Sequence, residues 1–252
     1  MQRHVEIAND NADSSVLPVS ANGLHVTREG RTILNAVDVE LTAKATATVI
    51  LGPNGAGKSV LIRILAGLLP PDSGTVLWGN APPQGTRAAK IGFVFQRPVM
   101  LRRTAVANVA YALGLTGTPA QDRAARAYDI LANSGLGHLA DTPARVLSGG
   151  EQQRLAFVRA LACNPDIFFL DEPTSNLDPA STAAIELMIR DVRARGIPLV
   201  LITHDLGQAR RLADDVIFMH RGRILERTPA ATFFTAPSTR EAAAFVRGEI
   251  VL

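Results

Sequence analysis

The residues best suited to chemistry occupy positions 52–59, with the sequence GPNGAGKS. Glycines at these offsets let backbone N–H groups turn inward around an anion, and the start of a following helix adds a favourable dipole. Lys58 can reach the β- and γ-phosphates of a nucleotide, and Ser59 can ligate Mg²⁺. The residues predicted to hold the phosphates are Gly52, Asn54, Gly55, Ala56, Gly57, Lys58, Ser59 and Val60.

Three other apolar runs of the chain end directly in polar residues, namely Gln96, the pair Asp171 and Glu172, and His204. We expect Asp171 to bind Mg²⁺ together with Ser59 and Gln96, because oxygen donors suit that ion. Glu172 is placed to orient or deprotonate an attacking water. His204 can donate to the γ-phosphate, although a histidine after a strand can also be a satisfied core residue. The sequence thus predicts Glu172, His204 and Gln96 as catalytic residues.

A second unusual segment is 147–154, with the sequence LSGGEQQR. Ser148 with Glu151 three residues later forms a capping box, which predicts the start of a helix. Gly149 and Gly150 are poor helix formers in that first turn. They are explained if an anion must approach the helix N-terminus closely, whereas a well-capped helix without a ligand is the simpler alternative.

Strands and helices must position these residues. Predicted strands cover 48–51, 91–95, 167–170 and 199–203. Three of them are continuously apolar, which is typical of a parallel sheet buried on both faces, and ligands of such sheets bind at the carboxyl ends of the strands. Helical spacing at 105–113 and 124–131 predicts two helices between the second and third of these strands.

The composition limits the possible classes of protein. A chain of 252 residues that is 47% hydrophobic can form one large α/β domain. The balance of 26 basic and 23 acidic residues, for a net charge of +3, gives no argument for nucleic-acid binding. The single cysteine, Cys163, excludes an intrachain disulfide and suits a reducing cytosol. With neither a run of roughly 18 apolar residues nor a signal-peptide core, we expect a soluble or peripheral protein.

Together these motifs resemble those of the ATP-binding cassette (ABC) family over roughly residues 22–230. The matching segments are 52–59 (Walker A), 147–154 (signature motif), 167–173 with the sequence IFFLDEP (Walker B), 175–178 with the sequence SNLD (D-loop), Gln96 (Q-loop) and His204 (H-loop). The resemblance implies a P-loop NTPase core with a mostly parallel sheet, an N-terminal antiparallel β region and an inserted α-helical lobe.

The resemblance also implies a head-to-tail homodimer that binds ATP and Mg²⁺. Each ATP would lie between the Walker A loop of one copy and the signature motif of the other, contributed by Ser148, Gly149, Gly150 and Gln152. Asp178 of the D-loop would then communicate across the dimer.

Two positions depart from the family pattern. Family members usually carry an aromatic residue that stacks on adenine, whereas residues 27–30 here are TREG. The guanidinium plane of Arg28 is one replacement. Val60 stands where the family usually has a threonine that helps to hold the α-phosphate.

The resemblance further implies transmembrane permease subunits as partners, and through them a solute-binding protein. The protein would then act at the cytoplasmic face of the membrane as a peripheral importer ATPase. The permease would contact the loop 96–103, with the sequence QRPVMLRR, where we expect Val99, Met100 and Leu101 to be exposed apolar anchors beside arginines. An ordinary solvated loop is the alternative.

Segments 95–113 and 76–79 resemble those of tungstate uptake cassettes, with phosphate, molybdate or another solute as alternatives. A soluble ATPase of iron–sulfur cluster assembly is the alternative of a different class.

The expected organisation has three parts. Residues 1–20 form a polar, poorly ordered tail. Residues 21–235 form the ABC ATPase domain, with the helical lobe at about 97–150. Residues 236–252 form a short helical tail.

Overall fold

The computed structural model of the protein describes residues 15–44, 47–83 and 85–251. Its strands are β1 (Val19–Arg28), β2 (Arg31–Leu41), β3 (Ala47–Leu51), β4 (Ser73–Trp78), β5 (Ile91–Val94), β6 (Ile167–Asp171), β7 (Leu199–Ile202), β8 (Asp215–His220) and β9 (Arg223–Pro229). Its α-helices are α1 (Lys58–Leu65), α2 (Ala105–Leu115), α3 (Ala120–Asn133), α4 (Gly149–Leu161), α5 (Pro179–Ala194), α6 (Leu206–Leu212), α7 (Ala230–Thr235) and α8 (Arg240–Val246).

A six-stranded sheet forms the centre, in the order β5-β6-β7-β3-β8-β9. Neighbouring strands from β5 through β8 pair in parallel, and β9 pairs antiparallel with β8. Every residue of β3, β6 and β7 is buried, as expected for strands covered on both faces. The carboxyl ends of the parallel strands therefore lie along one edge, and the predicted parallel sheet is confirmed.

A second, three-stranded antiparallel sheet has the order β2-β1-β4. Helix α1 contacts strands of both sheets, and its Leu61, Ile62 and Leu65 share one apolar core with residues of β1. This core anchors the helix that follows the glycine-rich loop. The N-terminal antiparallel region of the predicted fold class is thus confirmed.

The predicted N-terminal tail lies mostly outside the described residues. From Ser15 onward the chain is described, and there Val16 is buried while β1 begins at Val19. The folded domain therefore starts before residue 21, the boundary that the sequence predicted, because two apolar side chains of the supposed tail pack into the core.

The helical lobe follows β5. Helices α2 and α3 lie where the sequence predicted helices, and α2 packs against α3 and α4. Thr104 caps α2 by accepting a hydrogen bond from the backbone N–H of Ala107, at 3.3 Å. In the described part of the chain, no helix is both long and apolar enough to cross a membrane.

Helix α4 holds both ends of the segment that connects β5 to α2. At the near end, Gln153 Nε2 donates to the carbonyl of Phe95, at 3.0 Å. At the far end, Arg159 Nη1 donates to Oδ1 of the buried Asn108, at 3.1 Å, and that oxygen also accepts from Leu101 N–H. The connecting segment is thereby tied to the helix that begins at the SGG sequence.

The C-terminal helices pack back on the sheet. Phe245 of α8 lies 5.3 Å, ring centre to ring centre, from Phe218 of β8. Glu226 of β9 is buried and accepts hydrogen bonds from the backbone N–H groups of Ser238 and Thr239. The end of the chain is thus fastened to the domain by both apolar and polar contacts.

Candidate nucleotide site

The glycine-rich loop turns tightly between β3 and α1. Gly57 adopts a left-handed backbone conformation with a φ of 96°. A Cβ at Gly57 would lie 2.7 Å from the carbonyl oxygen of Ile33 in β2. Both observations require glycine at this position, because other residues adopt this conformation at a cost and would clash here.

Lys58, the first residue of α1, is buried with 6% of its surface exposed. Its Nζ donates to the carbonyls of Gly52 and Pro53, at 2.7 and 2.9 Å. Burial lowers the pKa of Lys58, and the nearby carboxylates of Glu172 and Asp171 oppose that shift. The ammonium group is thus held inside the loop, where an anion would stabilise its positive charge.

Ser59 and Arg63 both contact Asp171 at the end of β6. Ser59 Oγ donates to Asp171 Oδ1 at 2.7 Å, and Arg63 Nη2 pairs with Oδ2 at 3.0 Å. The Asp171 side chain is only 1% exposed, so both of its oxygens are engaged in a buried site. Sequence reasoning identified Ser59 and Asp171 but missed Arg63, whose i,i+4 spacing from Ser59 on α1 was the available signal.

Glu172 is the point where the other predicted catalytic residues meet. Its Oε2 accepts from Gln96 Nε2 at 3.1 Å and lies 3.2 Å from His204 Nδ1. Its backbone has a φ of 47°, an unusual value outside glycine, and its N–H donates to Ile202 in β7. The structure therefore brings Gln96, Glu172 and His204 together at the ends of three strands.

A cleft of about 700 Å³ lies in front of these groups. It is lined by Ile33, Asn54, Gly55, Ala56, Gly57, Lys58, Ser59, Val60, Gln96, Glu172, Ser175, Asn176 and His204. Ile33, Ser175 and Asn176 were not predicted to line it. Ser175 and Asn176 fall in the segment 175–178 that the sequence did single out, whereas Ile33 carried no signal because only the folding of β2 over the loop brings it there.

The side chain of Arg28 is used elsewhere. Its Nη1 donates to Asp72 Oδ1 and to the carbonyl of Thr27, both at 2.8 Å. Arg28 does not line the cleft. Ile33 is the apolar side chain that β2 places at the cleft.

The SGG sequence lies at the start of α4. Ser148 caps the helix: its Oγ accepts from the Glu151 backbone N–H at 3.4 Å, and Glu151 Oε2 accepts from the Ser148 backbone N–H at 2.8 Å, which confirms the predicted capping box. A Cβ at Gly150 would lie 2.2 Å from Ser181 Oγ, so a contact within the chain accounts for that glycine. A Cβ at Gly149 would meet nothing within 4 Å. Of these two glycines, only Gly149 has no neighbour within its own chain that would exclude a side chain.

The other two residues predicted to act across the dimer, Gln152 and Asp178, also lie outside this cleft. Gln152 Nε2 donates to the carbonyl of Leu147 at 2.8 Å. Asp178 caps α5 by accepting from Ser181 N–H at 2.9 Å. None of Ser148, Gly149, Gly150 and Gln152 lines the cleft beside the glycine-rich loop of the same chain.

A parallel sheet whose strand ends present a phosphate loop, a buried aspartate and an adjacent glutamate defines a P-loop ATPase. The family model described as ABC transporter matches residues 34–175. The chain therefore belongs to the ABC transporter family and is an ATPase of the ABC type that binds ATP.

Individual relatives agree with this assignment. The chain is 38% identical to the phosphate import ATP-binding protein PstB 2 of Natronomonas pharaonis over 88% of this chain and 84% of that protein. It is 39% identical to the molybdenum import ATP-binding protein ModC of Mycobacterium tuberculosis over 81% of this chain and 59% of that protein. The dimeric post-hydrolysis structure of the ATP-binding cassette MJ0796, bound to ADP and Pi, superposes with a TM-score of 0.76 at 28% identity, covering 84% and 98% of the two chains.

Proposed function

We propose that this protein is the ATP-hydrolysing subunit of a prokaryotic ABC importer and works as a head-to-tail homodimer. One observation carries the proposal: Lys58 and Glu172 line the cleft, whereas the SGG sequence lies outside it in the same chain. If the cleft residues and the SGG sequence act on the same nucleotide, the SGG sequence must come from a second copy of the chain. The similarity to a dimeric ATP-binding cassette supports this arrangement.

The residues around Asp171 fit a magnesium ion. A serine hydroxyl, a carboxylate and an amide oxygen are hard oxygen donors of the kind that Mg²⁺ prefers. Ser59, Asp171 and Gln96 would hold the ion, and Gln96 uses its Nε2 for Glu172, which leaves its Oε1 for a cation. When bound, the ion would neutralise charge on the phosphates.

The chain's own groups divide the catalytic work. Lys58 and the loop N–H groups bind the phosphates, and Glu172 takes a proton from the attacking water. Gln96 and His204 orient the carboxylate of Glu172. Donation from His204 Nε2 to the γ-phosphate requires a proton on that nitrogen, so a ring that also donates from Nδ1 to Glu172 must be protonated.

Alanine substitutions at the two neighbouring glycines test the role of the second copy. Gly149→Ala is expected to keep or slightly raise the melting temperature, because its Cβ meets open space and alanine favours helix. It should nevertheless reduce ATPase activity at least tenfold, because the added methyl group would face the partner's nucleotide. Gly150→Ala is the matched comparison, and there the clash with Ser181 should lower the melting temperature. Full ATPase activity in Gly149→Ala would argue against a nucleotide shared between copies.

The segment after Gln96 is the proposed contact with transmembrane permease subunits, and through them with a solute-binding protein. Val99 is 64% exposed, and Arg97, Arg102 and Arg103 are exposed beside it. Met100, which we expected to be exposed as well, is buried in the core that the lobe shares with the sheet. The apolar part of this surface is therefore smaller than the sequence indicated. Docking here would place the protein at the cytoplasmic face of the membrane.

We propose tungstate as the solute, with phosphate, molybdate or another solute as alternatives. The support is the resemblance of segment 95–113 to tungstate cassettes and the similarity to phosphate and molybdenum import proteins. Identities of 38% and 39% to phosphate and molybdenum import proteins do not separate these anions. The transported anion is selected by the binding protein and the pore rather than by the ATPase.

Co-purification and transport test this proposal in two steps. The tagged protein should co-purify with permease subunits encoded beside its gene, and absence of any membrane partner would contradict the importer role. Vesicles reconstituted with the complex and its binding protein should then take up tungstate in an ATP-dependent way. Uptake of phosphate or molybdate without tungstate would replace the proposed solute and leave the ATPase role intact.

A further inference from the structure

Arg63 reaches the nucleotide site by way of the carboxylate of Asp171. It lies one helical turn after Ser59 on α1, so both side chains reach the end of β6. Each of them takes one oxygen of the same carboxylate, Oδ1 for Ser59 and Oδ2 for Arg63. The carboxyl group of Asp171 is therefore fixed from two sides by one helix.

The burial of Asp171 makes this contact more than a surface ion pair. A carboxylate that is 1% exposed needs hydrogen bonds and a compensating charge, because its ionised form has lost its water. Among the described residues, Arg63 is the one basic side chain within ion-pair distance of it. Lys58, the other nearby cation, uses its ammonium group on the carbonyls of Gly52 and Pro53.

We propose that Arg63 is a positioning residue for magnesium: by holding Oδ2 of Asp171, it keeps Oδ1 next to Ser59 Oγ, where the two oxygens serve the ion that accompanies ATP. This inference rests on the proposed function. Arg63 does not line the nucleotide cleft, so it acts through Asp171. Its loss should therefore weaken the contribution of magnesium and leave the contacts between loop and phosphates as they are.

The test compares nucleotide affinity with and without magnesium. The variants Arg63→Met and Arg63→Lys are made in a Glu172→Gln background, which prevents turnover, and titrated with a fluorescent ATP analogue in excess Mg²⁺ or in EDTA. Arg63→Met should reduce the magnesium-dependent gain in affinity about tenfold, the size expected for one charge-assisted hydrogen bond, with unchanged affinity in EDTA. Arg63→Lys retains the charge and should restore most of the gain. Arg240→Met, at the exposed start of α8, is the matched control.

The possible results separate the proposals. Equal losses of affinity in Mg²⁺ and in EDTA would show that Arg63 only supports the fold, and an unchanged magnesium effect in Arg63→Met would also overturn its role. If Arg63→Met does not fold, Arg63→Gln, which also removes the charge, decides: a reduced magnesium effect with normal affinity in EDTA supports the inference, and a normal magnesium effect overturns it. Failure of the unmodified protein to bind the analogue under either condition would instead contradict the proposed function.

Discussion

Replacing Glu172 by glutamine is expected to stop ATP hydrolysis while leaving ATP bound. Glutamine has the same shape and can still be hydrogen-bonded by Gln96 and His204, but it cannot take a proton from water. A general base contributes about 10²- to 10⁴-fold to a rate, so phosphate release should fall by that factor. If hydrolysis opens the proposed homodimer, Glu172→Gln should elute as an ATP-dependent dimer in size-exclusion chromatography.

An exposed glutamate provides the control for this variant. Glu40→Gln changes the same functional group on β2, away from the cleft, and should hydrolyse ATP at the unmodified rate. Rapid turnover by Glu172→Gln would exclude Glu172 as the base. If such an active variant still formed an ATP-dependent dimer, the lack of hydrolysis could not be the cause of that dimer.

Replacing Lys58 by alanine is expected to remove most of the affinity for ATP. The ammonium group is buried in the loop, where its charge is weakly screened and where it would donate to the oxygens of an incoming phosphate. Two charge-assisted hydrogen bonds are together worth on the order of 3 kcal/mol, which is about 100-fold in the dissociation constant. Titration with a fluorescent ATP analogue measures this loss directly.

The fold should survive the Lys58→Ala change, because the substitution also removes the desolvation cost of a buried cation. Lys90→Ala is the matched control, since Lys90 is 3.7 Å from Asp166 in a partly exposed ion pair and does not line the cleft. Unchanged ATP affinity in a folded Lys58→Ala protein would contradict the role assigned to the loop.

The sequence predicted the chemistry of the site better than its surroundings. The phosphate loop and the residues at strand ends are local sequence patterns, and the carboxyl ends of parallel strands all lie at the same edge of the sheet. Gln96, Glu172 and His204 therefore met as expected. Arg63 and Ile33 were missed because their roles depend on tertiary contacts. Arg63 of α1 contacts Asp171 at the end of β6, and Ile33 of β2 lies beside the phosphate loop.

Tertiary contacts changed the interpretation of two residues. Met100 was expected at the surface beside Val99, but it turns into the core shared with the lobe. Gly150 has a second reason besides the predicted anion, because Ser181 at the start of α5 leaves no room for a side chain. In both cases the decisive contact is tertiary, and periodicity along the chain does not contain it.

The strand order also has a consequence for how the protein is made. Strand β3, which leads into the phosphate loop, pairs with β7 on one side and β8 on the other. Both partners come much later in the sequence than β3, at Leu199–Ile202 and Asp215–His220. Pairings between such distant segments form slowly, because the entropy cost of closing a long loop comes before the strand contacts contribute favourable free energy. During synthesis the ribosome must therefore release the chain beyond β8 before β3 has both neighbours, so the nascent protein should not bind ATP until that point.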